Sequence, residues 1–215
     1  MILNPQAKKI LCFGDSLTWW NHFAGNRFDV ADRWTYRLQN KLGDGYEVIE
    51  EWLRARTVNA EDTTSSGRCG FRYFCPCVES QGDIDVLIIL LWTNDTKKKF
   101  WLDANEILAG IKLYVDFVRS YDQMNHFSKT EIVLMSPPRI KFDILETDNS
   151  FDRHSGEILS ELNTKEGVYC ADNDIHFISL YDLLEGNVHD WIHLEVNDNE
   201  QISQLLFEKI RTLLI

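Results

Sequence analysis

The sequence predicts an α/β fold, a three-layer α/β/α sandwich built on a parallel sheet. Two observations predict it. Short apolar runs alternate along the chain with longer amphipathic stretches, and the connections between runs are long enough to hold crossover helices. Residues 85–91 are nearly continuous Val, Ile and Leu, the composition of a central strand covered on both faces.

The elements follow in order. Residues 9–14 read as a buried strand closed by a glycine turn, and 47–53 as a second, more polar strand. After the central run, residues 131–135 form a fourth strand that stops at Ser136-Pro137-Pro138, and 175–180 a fifth. Helices are expected at 32–42, 103–119, 149–161 and 197–214. The last sets Ile202, Leu205, Leu206, Ile210 and Leu213 on one face, with Lys209 as the exception. No long linker, repeat or low-complexity tract divides the 215 residues, so one domain spanning 1–215 is expected.

Composition narrows the function. The 22 Lys and Arg against 34 Asp and Glu give a formal charge of −12, which repels phosphate backbones and anionic headgroups. Nucleic acid and membrane partners are therefore not expected. Lys97-Lys98-Lys99 is short and reads as a solvated helix start. The N-terminus lacks a long apolar leader, and the run 86–92 is too short to cross a bilayer. The five cysteines are odd in number and lack C-x-x-C spacing, which fits inert thiols in a reducing cytoplasm rather than disulfides or a zinc site.

In open parallel sheets, ligands bind beyond the carboxyl ends of the strands. The residues there are Asp15-Ser16, Ala55-Arg56, Thr93-Asn94-Asp95 and Pro137-Pro138-Arg139. Taken singly, Gly14-Asp15-Ser16-Leu17 is also a common turn, Asn94 also a helix cap, and Asp190-Trp191-Ile192-His193 also a loop ion pair. Together they hold the parts that ester cleavage needs. Ser16 supplies a hydroxyl nucleophile, and His193 a base suited to neutral pH. Asp190, three residues earlier, is close enough to orient the imidazole, and Asn94 offers a neutral N–H donor. No G-x-S-x-G elbow is present, which argues against an α/β-hydrolase.

With these blocks in this order, the chain resembles the SGNH, or GDSL, hydrolases. The resemblance rests on Phe13-Gly14-Asp15-Ser16-Leu17-Thr18-Trp19, Ala55-Arg56-Thr57, Thr93-Asn94-Asp95 and Asp190-x-x-His193-Leu194. It spans roughly residues 9 to 213 and is greatest toward the bacterial arylesterase and acyltransferase branch. It implies a flavodoxin-like fold with five parallel strands and a Ser16–His193–Asp190 triad. It also implies an oxyanion hole from the Ser16 and Ala55 amides with the Asn94 side chain. A small-molecule ester is the implied substrate, with an acyl-enzyme, no cofactor and no metal; similar arylesterases often form homo-oligomers.

Trp20, Trp52, Trp92 and Trp191 stand where that branch usually carries Gly. Asp15, Trp20, His22, Trp92 and Trp191 are candidate pocket residues, and segments 20–31 and 139–153 candidate entrance loops. The tryptophans suggest a site narrowed by indole walls, or one displaced so far that the chain binds without catalysing. Carbohydrate deacetylation on the same fold is a further alternative. His189 and His193 have the i, i+4 spacing of a helical zinc pair. The zincin motif needs Glu where Asp190 stands, and no third ligand is evident. Cys69, Cys75 and Cys77 cluster in sequence but lack a histidine partner.

Overall fold

A computed structural model describes residues 4–19, 27, 29–141 and 150–214. Five strands, β1 (Lys8–Gly14), β2 (Tyr46–Trp52), β3 (Val86–Leu90), β4 (Glu131–Ser136) and β5 (His176–Ser179), form one sheet. Their order is β2-β1-β3-β4-β5 and every pairing is parallel. Strand order reverses between β1 and β3, so a crevice is expected beyond Gly14 and Leu90.

The helices are α1 (Ser16–Trp19), α2 (Trp34–Leu42), α3 (Gly70–Gln81), α4 (Ala104–Asn125), α5 (Arg153–Asp172), α6 (Leu180–Leu183) and α7 (Val196–Leu213). Alternation along the strands sorts the core into two layers. Leu11, Phe13, Leu87, Ile89 and Leu134 pack with Phe74, Ile107, Val115 and Leu159 from α3, α4 and α5. Ile10, Cys12, Ile88 and Met135 pack with Leu17, Trp34, Leu38, Ile202 and Leu206 on the other face. Both faces of β3 are therefore dry, and all five of its residues are buried, which explains its unbroken apolar run. Truncating a side chain such as Phe74 to Ala would cost about 3–5 kcal/mol.

The strands lie within a residue or two of the positions expected from sequence, whereas the helices depart further. Helix α3 was not anticipated: Pro76 sits inside it and lacks the N–H that the Arg72 carbonyl would otherwise accept. Helix α5 begins only after Asp152, whose carboxylate accepts from Ser155 N in a capping box, and it continues to Asp172. Helix α4 has the same device at Asp103 and Glu106, and runs on to Asn125. Among the described residues no helix is long and apolar enough to cross a membrane.

Candidate active site

The turn after β1 delivers Ser16. Gly14 is required there, because a Cβ at this position would lie 2.0 Å from Thr18 Oγ1 and 2.8 Å from the Leu90 carbonyl. Asp15 folds beneath the turn, fully buried, and accepts from the Leu17 amide at 2.8 Å. Burial pushes its carboxyl up to about 6, against the Leu17 hydrogen bond and the Lys97 and Arg56 charges. Asp15 therefore underlies the site rather than lining a pocket.

The opposite wall is the segment between α6 and α7. Residues 188–193 form turns and bends, and Asn187 organises them. Its Oδ1 accepts from the His189 and Asp190 amides at 2.6 and 2.9 Å, and its Nδ2 donates to Asp190 Oδ1 and the His193 carbonyl. Gly186 passes so close to this turn that a Cβ would meet the Trp191 carbonyl oxygen at 2.0 Å. The Arg139 amide donates to Leu184 O, and the Gly186 amide to Arg139 O, which ties the segment to the end of β4.

This framework brings together residues 177 positions apart in sequence. His193 Nε2 lies 2.9 Å from Ser16 Oγ, and His193 Nδ1 lies 2.7 Å from Asp190 Oδ2. A carboxylate at Nδ1 keeps the proton on that nitrogen, so Nε2 is left to accept from the serine hydroxyl. Burial alone would raise the Asp190 carboxyl, but the His193 hydrogen bond and charge, with the Ile192 and His193 amides, hold it down at about 2. The helical geometry of a His-x-x-x-His chelate is not formed, and both ring nitrogens of His193 are already engaged.

Asn94 follows β3 in a short 3₁₀ turn, Thr93–Thr96. Its Nδ2 donates to Asp15 Oδ2 and to the Arg56 carbonyl, each at 3.1 Å. A further acceptor must share or replace one of these. The amides of Ser16 and Ala55 have no acceptor among the described residues. Asp95, next to Asn94, is buried and takes the Val58 amide on both oxygens (3.0 and 2.9 Å); burial pushes it up to about 8.

The tryptophans divide. Trp20 and His22 lie outside the described residues. Trp92 does not line a pocket: it is 1% exposed and packed in the core. Its φ of 77° and the 61° of Trp191 are left-handed values that glycine adopts freely, and Ala55 shares them at 59°. Trp52 ends β2 without that conformation, beneath the Arg27 guanidinium at 4.1 Å. Trp191 is half-buried, with an indole N–H that has no partner among the described residues. Cys77 is buried on α3, and burial pushes its thiol up to about 12, which makes it a poor nucleophile.

No protein-family model and no curated protein matches the chain. Solved structures do. The aryl esterase of M. smegmatis is 31% identical with a TM-score of 0.88, over 97% of this chain and 100% of its own. A carbohydrate acetylesterase from Sinorhizobium meliloti is 28% identical with a TM-score of 0.87, over 96% and 99%. A member of the lipolytic G-D-S-L family from Veillonella parvula, at 13% identity and a TM-score of 0.67, shares the fold. The chain belongs to the SGNH/GDSL family of carboxylic ester hydrolases.

Proposed function

We propose that the protein is a serine esterase that cleaves small carboxylic esters through an acyl-enzyme on Ser16. The observation that carries this reading is the relay from Asp190 through His193 to the Ser16 hydroxyl, with steps of 2.7 and 2.9 Å. His193 Nε2 takes the hydroxyl proton as Oγ attacks the ester carbonyl. Asp190 holds the imidazole tautomer and stabilises the imidazolium that forms. The oxyanion is received by the Ser16 and Ala55 amides and by Asn94, which shares a hydrogen it otherwise directs at Asp15 or Arg56. The imidazolium then protonates the departing alcohol. Water, deprotonated by the same imidazole, or another nucleophile in its place, releases the acyl group.

Small aryl and alkyl esters are the substrate class we assign. Deacetylation of a carbohydrate is a second reading, favoured by the likeness to the S. meliloti acetylesterase; it uses the same chemistry with a sugar as leaving alcohol. Turnover of p-nitrophenyl acetate and butyrate, run beside acetate release from an acetylated sugar and repeated with a chelator, separates these readings. Activity that ignores the chelator and collapses in Ser16→Ala supports the serine esterase, and the faster substrate decides between alcohols. No turnover of any of these esters by the wild type would favour a binding protein.

A further inference from the structure

Arg56 takes no part in the relay, yet it touches every strand end that supplies a donor to the proposed oxyanion site. It is 2% exposed. Its Nη1 donates to the Gly14 carbonyl at 2.9 Å, two residues before Ser16, and to the Glu51 carbonyl at 3.0 Å, at the end of β2. Its own carbonyl accepts from Asn94 Nδ2 at 3.1 Å, and its peptide directly follows Ala55. The guanidinium lies over the Phe13 ring at 4.1 Å, with the Tyr73 ring at 5.3 Å. Its guanidinium donates to main-chain carbonyls rather than to a carboxylate, an expensive way to bury a charge.

We infer that Arg56 is a positioning residue that sets the spacing of the Ser16, Ala55 and Asn94 donors. This rests on the Ser16 esterase reading. The planar guanidinium does two things at once: it bridges two carbonyls from different strands and packs against the Phe13 and Tyr73 rings. A lysine ammonium has donors enough for those carbonyls but lacks the plane that packs on the rings. Arg56 thereby couples the end of β1 to the end of β2, while its carbonyl restrains the amide that follows β3. Displacing a catalytic group by about 1 Å costs on the order of 10²-fold in rate, so a residue fixing three donors has a large lever.

The test is a double-mutant cycle of Arg56→Lys and Asn94→Ala, with kcat and KM measured on p-nitrophenyl acetate and folding checked by circular dichroism. Arg56→Lys is expected to lower kcat by about 10- to 100-fold with KM changed less than about threefold. In that background the further loss from Asn94→Ala, about 10²- to 10³-fold on its own, is expected to shrink below about tenfold, because both act through one site. A kcat within about twofold of wild type, or losses that multiply in full, would overturn the inference. Should Arg56→Lys not fold, Tyr73→Leu carries the test. Tyr73 is 45% exposed, and replacing it removes one of the two rings that the guanidinium contacts. A kcat lowered by about 3- to 10-fold at constant KM is then expected, and an unchanged kcat refutes the role. Ser16→Ala is run alongside: if it retains full turnover, the esterase reading fails, whereas an inactive Ser16→Ala beside an unaffected Arg56→Lys removes Arg56 alone.

Discussion

Asn187 grips Asp190 through both ends of its amide: Oδ1 accepts the Asp190 peptide N–H at 2.9 Å, and Nδ2 donates to Asp190 Oδ1 at 3.1 Å. The same Nδ2 donates to the His193 carbonyl at 2.9 Å, and the Asn187 amide donates to that carbonyl at 2.7 Å. One buried side chain therefore sets the turn that presents a carboxylate to its imidazole. Asn187→Ala is expected to lower kcat about tenfold or more with little change in KM. Steady-state kinetics beside a thermal melt check this, and an unaltered kcat would mean that the turn forms without the amide.

Asp190 makes two predictions of different kinds. Asp190→Asn removes the charge that holds the imidazole tautomer, and kcat should fall by about 10³- to 10⁴-fold. The second concerns stability. The folded carboxyl sits at about 2, below its ordinary 3.8, so its ionised form favours the folded state above about pH 4. That contribution is lost as pH falls through about 2. Urea titrations of the wild type and Asp190→Asn across this window should show the steeper loss in the wild type.

Asp95 has the opposite sign. Burial raises its folded value to about 8, so folding retains a proton that the unfolded chain releases above about pH 4. The stability this gives is present below pH 4 and is lost as pH rises through 8. Asp15, raised to about 6, adds to the same slope in its lower half. Asp95→Asn keeps an oxygen for the Val58 amide and abolishes the titration. The difference in Tm between variant and wild type should move in the variant's favour between pH 5 and pH 9. A difference independent of pH would show that Asp95 does not titrate in that range.

Trp92 and Trp191 pay differently for the same backbone. A left-handed residue other than glycine costs roughly 1–2 kcal/mol, so glycine recovers that energy at either position. Trp92 is buried in the core, and losing its ring costs more than the relief returns; Trp92→Gly should lower Tm by roughly 10 °C. Trp191 is half-buried, and Trp191→Gly should shift Tm by only a few degrees. Calorimetry of both variants checks the contrast.

What the sequence disclosed follows from how each element is stabilised. The strands were legible because two-sided burial demands apolar runs, as in Val86–Leu90. Helix α3 was hidden because Pro76 stands inside it, and a proline there reads as a helix breaker. The end of α5 was hidden because Glu166 and Gly167 break its apolar pattern: Glu166 lies on the buried stripe between Leu162 and Cys170. At the site, Ser16, Asn94, Asp190 and His193 stood out through their chemistry. Asn187 and Arg56 did not, because their hydrogen bonds to the Asp190–His193 turn and to the Gly14 and Glu51 carbonyls exist only in the folded geometry. The local signal for Asn187 was the Gly186-Asn187 pair just before Asp190, which reads as a loop. Trp92 was assigned to a pocket on sequence grounds, but the left-handed turn after β3 directs it into the core.

The claim that Ser16 is the nucleophile is tested most directly by covalent capture. The protein is incubated with a fluorophosphonate, and its intact mass and peptide map are recorded for the wild type, Ser16→Ala and His193→Ala. The expected result is a single adduct on the peptide that contains Ser16, absent in Ser16→Ala and formed far more slowly in His193→Ala. An adduct elsewhere, or a wild type that stays unlabelled while it hydrolyses p-nitrophenyl acetate, would contradict it.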